Sequence, residues 1–355
     1  MEVIYEMRYK YLDVAKGITL LFVLMAHGCG FPFGLGSYCT AYFMALFFLI
    51  SGYNQKNVEL NRTCIDRRIK KIVFPYFTYN LLIYFIYAVW EGFEDIQDAW
   101  LAVKGIFYSS YCLYYPINTE NNVFFYCIEN NATWFLTAFF CSNIVFLFYM
   151  KYCKRVSCKI ITILLFLVLT QILYYCPIFL PWNIDKAFIG AAFMIAGHEM
   201  KEKNIINIRN RWHKILWTIL SVILYIFLVN INPGINLATR EYGRFGGISA
   251  WIYFVIGVVG SLLCIWGSEI ISRIPLLGRM LAELGREALA VMAMHLILYR
   301  IFDKMFLSKI FFEYGSIYYW GIAVLRILSV CMVIIGVVHG VQSIRKGRTK
   351  KINMG

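Results

Sequence analysis

The sequence predicts an all-α, polytopic membrane protein with about ten transmembrane helices and both termini in the cytoplasm. Three observations carry this. Apolar residues make up 61% of the 355-residue chain, with a mean hydropathy of +0.65. Asp, Glu, Lys and Arg together make up 15%, against roughly a quarter in an ordinary soluble domain. Lys and Arg gather in alternate short loops between apolar runs. A water-soluble fold cannot hide this much apolar surface, so lipid is the main solvent.

In chain order, the expected spans are about 12–31, 38–55, 72–90, 134–150, 159–177, 184–200, 213–230, 247–268, 286–306 and 316–342, each near the ~20 residues that cross a hydrocarbon core. The first has no small-residue cleavage site after it and reads as a retained span. Loop 56–71 carries Lys56, Arg62, Arg67, Arg68, Lys70 and Lys71, and loop 151–159 carries Lys151, Lys154, Arg155 and Lys159. Loop 201–214 and the expected loop 269–285 add Lys201, Lys203, Arg209, Arg211, Lys214, Arg273 and Arg279. With a short basic tail at 344–355, all of these fall on one side, which the positive-inside rule makes cytoplasmic. The whole chain, 1–355, reads as a single membrane-embedded domain.

The alternate loops agree. Residues 91–133 hold one basic residue, Lys104, beside Glu91, Glu94, Asp95, Asp98, Glu120 and Glu129. This external segment is aromatic-rich, and a short helix near 97–110 is expected to lie on the membrane surface. The sequon at Asn61 falls inside under this topology; a second lies at Asn131.

The net charge of +14 does not point to nucleic acid, because the cations sit where topology signals and anionic head groups place them. Most of the 11 cysteines fall within apolar runs as small core residues. Cys112 and Cys127 share the long outer loop and are a conceivable disulfide, which the odd count does not favour. No metal-ligand spacing is visible.

The first span contains the most informative residues. Lys16 and His27 are eleven positions apart, roughly 20° past three full turns, so they share a helix face about 16 Å apart along the axis. Lys16 lies at the cytoplasmic end, where lysines snorkel routinely, and Asp13 at i−3 can pair with it. His27 lies in the outer half of the membrane, where an ionisable group points to a cavity and a function ahead of a purely structural contact.

The stretch "YLDVAKGITLLFVLMAH" resembles the first helix of the acyltransferase-3 family, in which Arg or Lys precedes His by ten intervening residues. Its polysaccharide O-acetylase-like branch often has lysine there, as this chain does at Lys16. "FFLISGYNQK" at 47–56, with Ser51, is similar to the family's second-helix end. "RRIKKIVFPYF" at 67–77 resembles its RxxR segment, with Lys71 in place of the second arginine after Arg68. "WFLTAFF" at 134–140, "LPWNIDKAFIGAAFMIAGHEM" at 180–200 with Asp185, and "LGREALAVMAMH" at 284–295 ending in His295 follow in family order.

The resemblance implies a membrane O-acyltransferase with no permanently bound cofactor. Acetyl-CoA or another acyl-CoA would be the cytoplasmic donor. The acceptor would be a glycan or lipid-linked sugar outside the cell, and the location a bacterial cytoplasmic membrane. His27 would be general base or acyl relay, since imidazole titrates near neutrality. Lys16, Arg68 and Lys71 would grip the phosphates of CoA. Asp13, Ser51, Asp185 and His295 are possible supporting residues. Membrane lipids are the other expected contacts, and self-association into a homo-oligomer stays open. A glycan or lipid transporter is the alternative; it predicts inverted repeats or broken helices, which the sequence does not clearly carry. Arg240 and Arg244 are expected outside, meeting an acidic acceptor or capping the loop. His198, His213 and His339 are expected at the interfaces.

Overall fold

A computed structural model describes residues 2–56, 61–110, 128, 130–307 and 315–352, with backbone alone at 2–9 and 344–352. The apolar runs are helices because in lipid the backbone has to satisfy its own hydrogen bonds. In order these are α1 (Glu2–Gly28), α2 (Gly36–Asn54), α3 (Arg62–Arg68), α4 (Phe74–Trp90), α5 (Ile96–Tyr108), α6 (Trp134–Tyr152), α7 (Val156–Tyr174), α8 (Ala187–Glu202), α9 (Arg211–Ile231), α10 (Ser249–Ile271), α11 (Pro275–Arg286), α12 (Ala288–Phe302) and α13 (Ile317–Ile352). A two-stranded antiparallel ribbon, β1 (Ile235–Asn236) and β2 (Glu241–Tyr242), pairs Ile235 with Tyr242.

A helix lies at each of the ten expected span positions. Among the described residues, seven segments are long and apolar enough to cross a membrane: those at α1, α3–α4, α6, α7, α9, α10 and α13. The chain is thus an all-α, multi-pass membrane protein. Helices α2, α8 and α12 fall outside that set because they are more polar or shorter, at 19, 16 and 15 residues. They are also well enclosed by other helices. Ala41 and Leu46 of α2, Ala191 of α8 and Val291 of α12 are fully or almost fully buried. A helix wrapped by protein need not meet lipid along its length. At the other extreme, only 11% of the α9 span is buried, so that helix is a lipid-facing wall.

Packing centres on α1 against α11 and on α2 against α8 and α10, with α6 closing over α8. Glycines permit the closest crossings. A Cβ on Gly285 would stand 1.9 Å from the Asp13 carbonyl oxygen, and one on Gly17 would stand 2.0 Å from that of Leu281. Likewise a Cβ on Gly52 of α2 would stand 1.8 Å from the Met194 oxygen of α8. Close backbone approach through small residues is how membrane helices gain packing contacts without a hydrophobic drive.

Two expectations need correction. The expected loop 269–285 is largely α11, whose Gly278, Leu281, Ala282, Leu284 and Gly285 are buried along one stripe. It is too short and charged to be a span, yet it carries the period of an amphipathic helix, with Pro275 in its first turn. The expected span 286–306 starts only at α12, after a break at Glu287, and ends in a wide π turn over Asp303–Leu307. The surface helix near 97–110 is α5, capped by Asp95 accepting from the Asp98 N–H, and it exposes Ile96, Trp100 and Phe107. Cys112 and Cys127 lie outside the described residues, whereas Cys153 and Cys158 form a disulfide next to the start of α7.

Candidate functional site

A cavity of about 590 Å³ opens beside the start of α3 and the end of α11. Its lining includes six cations: Lys16, Lys56, Arg67, Arg68, Lys71 and Arg286. Ser51 and Gln55 contribute polar wall, and Phe47, Leu136 and Met292 contribute apolar wall. The structure thus brings Lys16, Ser51, Arg68 and Lys71 together from three separate stretches of chain.

Local chemistry explains each placement. Lys16 reaches the cavity from α1, where Asp13 pairs with it at 2.6 Å as the i,i+3 spacing predicts. The Gly17 and Gly285 crossing draws α1 onto α11 and so brings Arg286 to the same rim. Helix α3 starts on Asn61, whose Oδ1 accepts the Cys64 N–H at 2.9 Å, an ordinary N-cap. Pro75 has no N–H to donate to the Lys71 carbonyl, and the helix widens into a π turn over Ile69–Val73. Lys71 lies within that turn and Arg68 immediately before it; both line the cavity.

Arg68 is held from three sides. Nη2 donates to Gln55 Oε1 at 2.8 Å, Nη1 donates to Cys64 Sγ at 2.9 Å and Nε to Asn143 Oδ1 at 3.4 Å. Nη1 also lies 3.5 Å from the Cys64 carbonyl. A guanidinium has five N–H donors, so at least one remains for an anion while the fork is held rigid.

His27 sits at the other end of α1 and is exposed, outside the cavity lining. Beside it stands His295 of α12, fully buried, with ring centroids 5.2 Å apart. Met292, which lines the cavity, is three residues before His295, about one helical turn. The α1 end is pinned by side chains of α12 and α13 at three backbone carbonyls, of which that of Gly28 is one a helix terminus leaves unpaired. Tyr299 Oη donates to Leu24 O at 3.1 Å, Tyr319 Oη donates to Cys29 O at 2.8 Å, and Arg326 Nη2 donates to Gly28 O. Arg326 Nη1 also meets both oxygens of Asp303, at 2.7 and 2.6 Å.

These anchors were not among the residues singled out from the sequence. Arg326 had the clearest signal, a lone cation deep in an apolar run. Tyr299 and Tyr319 had none, because tyrosine is common at membrane interfaces.

Asp185 belongs to neither group. It is fully buried in the 3₁₀ turn before α8, with Oδ2 3.3 Å from both Lys186 Nζ and Arg240 Nε. Arg240 also donates to the carbonyls of Leu173 and Cys176 at 2.8 and 2.9 Å. That makes it a clamp on the α7–α8 connection, while Arg244 is exposed. His198 is buried in α8, His213 is exposed in the first turn of α9, and His339 pairs with Glu283 at 3.3 Å. Among the described residues, no group of three His, Cys, Asp or Glu side chains converges as a metal site.

The arrangement gathers cations around one cavity and stands an imidazole pair about one helical turn from Met292 of its lining. No curated protein and no solved structure matches the chain. The acyltransferase domain that defines the acyltransferase-3 family matches residues 9–336, a stretch that holds every residue of both clusters. The chain therefore belongs to the acyltransferase-3 family and is a membrane acyltransferase.

Proposed function

We propose that the protein moves an acyl group, acetyl above all, from cytoplasmic acyl-CoA to a hydroxyl of an extracytoplasmic glycan or lipid-linked sugar, in the manner of a polysaccharide O-acetylase. The observation that carries this is the common cavity of Lys16, Arg68 and Lys71, whose lining residue Met292 lies about one turn of α12 before His295, the neighbour of His27. Phosphates of CoA would meet the cations, and the thioester arm would run toward Phe47, Leu136 and Met292. Methionine is flexible enough to yield to such an arm. In this reading the protein has ten spans with both termini inside, the basic loops mark its cytoplasmic face, and the mouth would open there. His27, exposed at the opposite end of α1, would face the acceptor.

The chemistry balances on one base. An imidazole nitrogen of His27 takes the hydroxyl proton as the hydroxyl oxygen bonds to the thioester carbonyl carbon. The carbon–sulfur bond then breaks, CoA leaves as thiolate, and the proton held by His27 returns to it. If the acyl group instead rests first on His27, a carbon–nitrogen bond forms as the carbon–sulfur bond breaks and the CoA thiolate takes the imidazole N–H proton; the hydroxyl oxygen then bonds to the acyl carbon as the carbon–nitrogen bond breaks, and its proton goes to His27. Lys71 supplies a point charge where the family's more usual arginine offers a fork, so it holds phosphate less directionally.

His27→Ala is expected to lower transfer by about 10²- to 10⁴-fold, the usual worth of a general base, with the protein still folded and inserted. Acyl transfer is read in sealed vesicles given acetyl-CoA on one face. Normal transfer by His27→Ala would refute the assignment, and equal activity from outside acetyl-CoA would refute the sidedness.

A further inference from the structure

The geometry points to His295 as the residue that orients His27: a positioning histidine that fixes which nitrogen of His27 is the base. This rests on the reading of His27 as base.

The Nδ1 atom of His295 lies 3.1 Å from the Val291 carbonyl oxygen and 3.0 Å from that of Met292. Two oxygens facing one ring nitrogen assign the proton to it, since a lone pair there would be repelled. The Nδ1–H tautomer leaves Nε2 as a bare acceptor. That atom is fully buried and has no hydrogen-bond partner among the described residues. A buried unpaired acceptor forfeits its hydration and calls for a donor.

The ring beside it is His27. An imidazole nitrogen lies about 1.1 Å from its ring centroid. Across the 5.2 Å between centroids, two nitrogens turned toward each other stand about 3 Å apart, a hydrogen-bond length. The rings are tilted by 50°, and His27 is exposed, so its ring has room to turn. In that pose the N–H of His27 donates to His295 Nε2. The other His27 nitrogen is then a lone pair facing away from α12, ready for the acceptor hydroxyl. Its electron pair takes the hydroxyl proton, the N–H toward His295 stays in place, and no proton passes to His295. Once His27 is an imidazolium, that N–H becomes a charged donor and its bond to Nε2 strengthens.

A neutral acceptor suits this location better than a carboxylate. Burying an ionised group at membrane depth carries a large desolvation cost, while a neutral imidazole carries far less. The arrangement also accounts for the absence of an acidic partner for His27 among the described residues: Asp185 answers to Lys186 and Arg240, and Asp303 answers to Arg326.

Three substitutions test this in purified full-length protein, with acetyl-CoA as donor. His295→Leu removes both ring functions. His295→Asn keeps a donor at the Nδ1 position toward the two carbonyls but offers no acceptor where Nε2 stood. His295→Gln reaches that position with an amide oxygen. Leu and Asn variants are expected to lose about 10- to 100-fold in kcat, with KM for acetyl-CoA within about twofold of the parent. Gln is expected to recover about tenfold over Asn. Unchanged kcat in the Leu or Asn variant overturns the proposal, as does Gln no better than Asn at equal thermal stability. Should Leu fail to fold, the Asn–Gln contrast decides. His27→Ala runs alongside: if it stays active, the base assignment itself has failed. If it is dead while all three His295 variants are normal, only the positioning role has failed.

Discussion

Arg68 is the sharpest test of the donor cavity. Its guanidinium lines the cavity while bridging the end of α2, α3 and α6 through Gln55, Cys64 and Asn143. Arg68→Gln removes the charge and keeps most of the stem. A hydrogen bond to a charged group is worth about 1.5–3 kcal/mol, which at about 1.4 kcal/mol per decade is a 10- to 150-fold weaker donor. Arg68 is only partly buried, and salt screens it, so the lower end applies at physiological ionic strength. Lys16, Lys71 and Arg286 remain, so binding weakens without vanishing. The expected result is KM for acetyl-CoA raised about tenfold, with kcat within about twofold because the histidines are untouched. Arg68→Lys should recover part of the loss, a point charge replacing a fork. Initial rates at saturating acceptor, together with equilibrium binding of CoA at low and high salt, measure both terms. The salt dependence separates a phosphate contact from a packing defect: losing a phosphate contact flattens it, while losing the bridge to Gln55 and Asn143 does not. An unchanged KM, or a fall in kcat at constant KM, would refute the reasoning.

Two structural predictions stand beside it. Gly285→Ala puts a methyl 1.9 Å from a backbone oxygen that cannot retreat, so α1 and α11 must part. We expect a loss of about 1–3 kcal/mol with weaker CoA binding, read by thermal unfolding in detergent and by titration of CoA. Arg326→Gln strands Asp303 and frees the Gly28 carbonyl. Asp303 is 42% exposed, which moderates the penalty to about 1–3 kcal/mol, below that of a fully buried pair. Asp303→Asn in the same background should recover part of it, giving a coupling above about 0.5 kcal/mol in a double-mutant cycle, and strict additivity would show that the pair is not coupled.

The helices were legible because lipid simplifies the problem. An apolar run of sufficient length has to be a helix there, and α7, α9, α10 and α13 followed directly from composition. The reading failed where a helix does not face lipid. Helix α11 does not read as a helix in the sequence because its burial partner is α1 and not the bilayer, so its apolar stripe is narrow and its charges are many. The cavity residues were legible in part. Lys16, Arg68 and Lys71 could be named from family-like segments, but Arg286 could not, since it enters only through the α1–α11 crossing.

Residue order alone thus dictated the class of solvent, the all-α multi-pass build and the polar residues placed within the apolar runs. These depend on local hydropathy and on helix period, which neighbouring residues set among themselves. Partnership came from the packed chain: His295 beside His27, Asp185 with Lys186 and Arg240, and Arg326 bridging Asp303 to the end of α1. Contacts between residues on different helices depend on which helix faces meet, and close packing through glycine backbones settles that over distances no local pattern encodes.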